Sequence, residues 1–131
     1  MQWIIDVILS LVADRVGYFD RGDPSAIDFN ESDLFADYNW HPLDLSAIIP
    51  EKVRLVRLCV VFAQPYVNRR IQFRTHGNSF VNNRSSLHMQ VADTPRESDV
   101  LIAPDVDGKV DYRVTVGSDA IITITVGGWW L

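Results

Sequence analysis

The run VRLVRLCVVFA at residues 53–63 limits the folds open to this chain more than any other stretch. Side chains alternate along an extended strand, so Val56, Leu58, Val60 and Phe62 fall on one face and Leu55, Cys59 and Val61 on the other. A one-sided surface strand would show a polar residue at every second position. Two apolar faces instead predict a strand covered on both sides, deep inside layered structure.

The segments after it carry the same two-residue period. RRIQFRT (69–75) sets Ile71 and Phe73 inward and Arg70, Gln72 and Arg74 outward, and SSLHMQVA (85–92) sets Leu87, Met89 and Val91 against Ser86, His88 and Gln90. SDVLIAP (98–104) is a short strand stopped by Pro104, and VDYRVTV (110–116) places Val110, Tyr112, Val114 and Val116 on one face. Between these two, Asp107-Gly108 gives a strong short hairpin signal. WHPLDLS, anchored by Trp40, Leu43 and Leu45, precedes the apolar run, and AIITITVGGWWL closes the chain. Seven or eight short strands joined by turns, without crossover helices, predict an all-β antiparallel sandwich or barrel over residues 38–131.

Residues 1–37 read differently. Ile4, Ile8, Leu11 and Val12 recur at helical spacing, which predicts a short amphipathic N-terminal helix ending near Gly17. YFDRGDPSAIDFNESDLFADYNW follows, acidic and punctuated by Gly22, Pro24 and Asn30, and reads as a linker or stem with one short turn around residues 33–35. No Lys or Arg precedes the apolar start and Asp6 interrupts it, so neither a signal peptide nor a membrane-inserted segment is expected.

Composition narrows the function. With 47% hydrophobic and 22% charged residues the chain is a folded domain. A formal charge of −5 with scattered basic residues disfavours nucleic acid and anionic membrane surfaces as partners. The lone Cys59 reads as a buried small hydrophobe and forms no disulfide within the chain. Asp105, Asp107 and Asp111 suggest part of a calcium loop, but the terminal acidic ligand and flanking helices are missing, so the turn reading is preferred. Arg21-Gly22-Asp23 reads as a turn, and His41, His76 and His88 lack the spacing of a metal site. No metal, cofactor or catalytic residue is therefore expected, and the chain is read as a non-enzyme.

Two groups remain as candidate contact residues. The polar loop THGNSFVNNR offers His76, Asn78, Phe80, Asn82, Asn83 and Arg84, a mixture suited to sugars or peptide surfaces. The second apolar face of 53–63 (Leu55, Cys59, Val61) and the tail Trp129, Trp130 and Leu131 exceed what one small sandwich can cover. They are expected at an interface between copies of the chain. Trp129 and Trp130 should point to opposite sides, one closing the sandwich and the other meeting a neighbour or Trp3.

The segments WHPLDLSAIIPEKVRLVRLCVVF, IQFRTHGNS, DVDGKVDYRV and ITITVGGWW together resemble a small jelly-roll head found at the ends of phage and prophage tail-fibre-type proteins. The resemblance covers about residues 38–131 and implies a jelly-roll of about eight strands. It further implies a homotrimer in the manner of tumour-necrosis-factor-like heads. The protein would be made in the host cytoplasm and built into a virion, touching a host-surface glycan or other virion proteins. A carbohydrate-binding, lectin-like module is the alternative.

Overall fold

A computed structural model describes residues 17–117 and 119–131, together with Ile4. The expected helix and Trp3 otherwise lie outside the described residues. The rest is all-β: nine strands in two antiparallel sheets, together resembling a sandwich. They are β1 (Tyr18–Asp20), β2 (Phe29–Asn30), β3 (His41–Asp44), β4 (Leu55–Ala63), β5 (Arg70–Thr75), β6 (Ser85–His88), β7 (Arg96–Ile102), β8 (Lys109–Val114) and β9 (Ile121–Trp130). The first sheet runs β1-β9-β4-β7, with β2 also on β9, and the second runs β3-β8-β5-β6.

Alternation builds the core. Val56, Leu58, Val60 and Phe62 of β4 join Ile122, Ile124 and Val126 of β9 and Val100 and Ile102 of β7 on the inner face of the first sheet. Leu43, Ile71, Phe73, Leu87, Val110, Tyr112 and Val114 come from the second. Each large aliphatic or aromatic side chain so buried contributes about 1.5–3 kcal/mol. Tyr112 keeps a polar tip in this layer, and its hydroxyl accepts from the Phe35 amide at 2.9 Å.

Three expectations need correction. The strand read as covered on both sides is fully covered on one among the described residues, since Leu55, Cys59 and Val61 stay half-buried on the outer face. The Asp107-Gly108 turn is tight, with Gly108 at φ +80° and its amide 3.1 Å from the Asp105 carbonyl. Its flanking strands do not form a hairpin, however: β7 pairs with β4, whereas β8 pairs with β3 and β5. The turn crosses from one sheet to the other.

The stretch read as an acidic linker places β1 and β2 on β9. Arg21 and Asp28 pin it there. They pair at 2.5 and 3.0 Å, Asp28 also accepts from the Val126 amide at 2.8 Å, and Arg21 Nη1 donates to the Val126 carbonyl at 3.2 Å. The Arg of the Arg-Gly-Asp tripeptide is thus engaged inside the fold.

Candidate functional site

The strand register of the second sheet gathers charges that are far apart in sequence. Gln72 stands opposite Arg113 and Arg74 opposite Asp111 across β5 and β8, all on the outer face. Arg113 donates to Gln72 Oε1 through Nε and Nη2 at 2.8 and 2.6 Å. Arg74 Nε donates to Asp111 Oδ2 at 3.1 Å, and His76 Nδ1 lies 2.7 Å from Asp111 Oδ1. Directly opposed cross-strand pairs of this kind each contribute roughly 0.2–1 kcal/mol.

Aromatic rings hold this layer from the β3 side. Arg113 lies 4.5 Å from the Tyr38 ring centre and 4.6 Å from that of Trp40. Arg74 sits 4.2 Å from the Trp40 ring, and Arg70 lies 5.9 Å from Tyr38. Each contact contributes about 0.5–2 kcal/mol, more where water is excluded. Tyr38 adopts φ +62° and donates its amide to the Val114 carbonyl at 2.8 Å, which fixes the start of this aromatic arm.

The platform is rich in donors and poor in acceptors. Burial lowers the Arg113 guanidinium from its ordinary value, and the cations Arg84, Arg70 and Arg74 push the same way. Arginine nevertheless stays charged in proteins. Among the described residues, the buried atoms Trp40 Nε1, Arg70 Nε and Gln72 Nε2 have no hydrogen-bond partner. Gln72 is 0% exposed, so its carbonyl depends on Arg113.

The expected loop residues meet this platform at one edge. His76 joins through Asp111, the Phe80 carbonyl accepts from Arg74 Nη1 at 3.4 Å, and Arg84 is close enough to act on Arg113. Phe80 itself is 77% exposed. Asn82 and Asn83 are exposed, and Asn78 is half-buried with its amide on the Thr75 carbonyl. The sequence reading missed Tyr38, Trp40, Arg70, Gln72, Arg74, Asp111 and Arg113 as a group. The outward alternation of β5 and β8 was a signal for them, but the register that joins them was not visible.

The acids near the Asp-Gly turn do not converge. Asp105 Oδ1 accepts from the amides of Asp107 and Lys109 at 3.0 and 2.8 Å, whereas Asp111 faces Arg74 and His76. Among the described residues no group of three potential ligands could hold a metal ion.

The residues expected at an interface lie around the first sheet. Trp129 and Leu131 pack against this chain's own core, while Trp130 lies against Tyr18 with ring centres 4.6 Å apart and planes tilted by 46°. Arg57 links that corner, donating to the Tyr18 hydroxyl at 3.0 Å, to Asp99 at 3.1 Å and to Cys59 Sγ at 3.2 Å. Burial raises the Cys59 thiol, and the nearby Arg57 charge only partly opposes this. The thiol is therefore protonated at neutral pH and a weak nucleophile. Alkylation by iodoacetamide is expected to run several-fold slower than with a free cysteine peptide and to speed up as pH rises. A rate equal to the peptide's would contradict this assignment.

Among the described residues no helix is long and apolar enough to cross a membrane. No protein family, curated protein or solved structure matches the chain.

Proposed function

We propose that this chain is a non-enzymatic attachment module that engages a surface glycan through the outer face of its second sheet. The arginine and aromatic platform carries this reading, since it sets fixed hydrogen-bond donors beside the exposed loop of Phe80, Asn82 and Asn83. A glycan array should give saturable hits, and Phe80→Ala, which removes an exposed side chain, should weaken them severalfold without lowering the unfolding midpoint. An array without hits would sink the reading.

A jelly-roll arrangement accounts for the strand orders β1-β9-β4-β7 and β3-β8-β5-β6, in which most consecutive strands lie in opposite sheets. The resemblance to phage and prophage tail-fibre heads adds a virion setting and threefold assembly. Support for assembly comes from the half-buried outer face of the first sheet, where Cys59, Val61, Thr123 and Thr125 lie beside the exposed Leu101 and Ile121. Light scattering at micromolar concentration is expected to give the mass of three copies, and a monomer mass would remove the assembly part.

A further inference from the structure

We infer that the platform's ligand is a carboxylate-bearing polysaccharide, held by the guanidinium edges of Arg70, Arg74, Arg84 and Arg113. This rests on the glycan reading and gives its chemical class.

Three observations lead there. First, a chain of net charge −5 places four of its arginines around one face that carries a single buried carboxylate, Asp111. Asp111 is already shared between Arg74 and His76. Second, the rings of Trp40 and Tyr38 are taken up by guanidinium groups at 4.2–4.6 Å. A neutral sugar seeking a bare aromatic face finds it occupied, whereas an acid finds planar N–H forks held in place. Such forks match a carboxylate in geometry as well as charge. Third, the buried acceptors of the platform are spent: Gln72 Oε1 takes two Arg113 donors and both Asp111 oxygens are engaged. The N–H groups left over require acceptors from outside.

A polysaccharide suits the surroundings better than a nucleic acid. Four of the twelve basic residues gather in one compact patch, and the remainder of the chain is more acidic than the whole. A strand with a phosphate at every residue would run off the patch onto repelling surface. A sugar chain brings its acid to the patch and meets hydroxyl and amide groups at Ser86, Asn82 and Asn83 beside it.

Calorimetry with a short oligogalacturonate and its methyl ester tests this on the full chain. The acid is expected to bind at least tenfold more tightly than the ester, with the advantage shrinking as salt is raised. Arg70→Gln with Arg84→Gln should abolish most of that difference. Neither side chain supports Gln72 or Asp111, and what is lost is the 5.9 Å contact of Arg70 with Tyr38 and the Arg84 bond to the Val81 carbonyl, so thermal unfolding should fall only slightly. Equal binding of acid and ester overturns the carboxylate inference and leaves glycan attachment standing. Failure of both oligomers, with an array empty of glycans, overturns the two together. Tighter binding of a short single-stranded oligonucleotide than of the acid would replace the ligand class and overturn the inference.

Discussion

Replacing Phe73 by alanine is expected to lower the unfolding free energy by about 4 kcal/mol, the range found for large buried aromatics. Phe73 is 0% exposed and sits mid-strand in β5, opposite Tyr112 on one side and Ser85 on the other. Its ring projects into the layer filled by β4 and β9, where both sheets supply close-packed neighbours that cannot collapse into the vacated space. Domains of this kind are stable by only about 5–15 kcal/mol. Phe73→Ala should therefore unfold at a much lower urea midpoint with an unchanged slope. Phe80, seven residues on, provides the contrast, and Phe80→Ala should stay within about 0.5 kcal/mol of the parent. A Phe73→Ala midpoint matching that of Phe80→Ala would mean that the two sheets do not share a core.

The second large effect concerns the paired glycines of β9. Between Arg57 and Leu58 the register with β4 slips: Arg57 faces Gly128 and Leu58 faces Val126, so Gly127 is an extra residue in a bulge. Both glycines are buried for want of space. A methyl group on Gly128 would meet the Tyr18 hydroxyl and stand 2.5 Å from the Phe19 carbonyl oxygen, which belongs to the β1 backbone. A methyl group on Gly127 would meet the Arg57 guanidinium, with Cζ at 2.6 Å and Cys59 Sγ at 3.0 Å. A side chain can swing away, whereas a paired strand has to move. Gly128→Ala is thus expected to cost about 3 kcal/mol and to loosen β1 from β9, and Gly127→Ala about 1 kcal/mol. Chemical denaturation gives the totals, and faster amide exchange confined to β1 and its partners would locate the first. Equal costs at the two positions would contradict the close approach of β1.

What the sequence disclosed follows from the range of each signal. The inward and outward faces of β4, β5, β8 and β9 are set by alternation within a few residues, and they were readable to within about two residues at most ends. The Asp107-Gly108 turn was equally local, and its presence was legible. Whether its strands pair with each other depends on β4, which lies some forty residues back. The platform failed to show for the same reason. Arg74 and Asp111 are ordinary surface residues until β5 and β8 lie side by side. The segment around Arg21 and Asp28 looked like a linker because its polarity dominates its composition. That polarity is instead spent on a half-buried ion pair and the backbone of β9.

The position of β9 has a bearing on how the molecule comes into being. This strand follows every other in chain order, yet it lies between β1 and β4, and the Tyr18 hydroxyl reaches Gly127 across 109 residues. A ribosome delivers β4 and β7, which pair with each other, before the strand that joins β1 and β2 to them, so the first sheet cannot close until β9 is made. Contacts of such long sequence separation make folding slow. Until β9 emerges, the apolar edge of β4 stays open to any other extended chain nearby, including a sister copy on the same message.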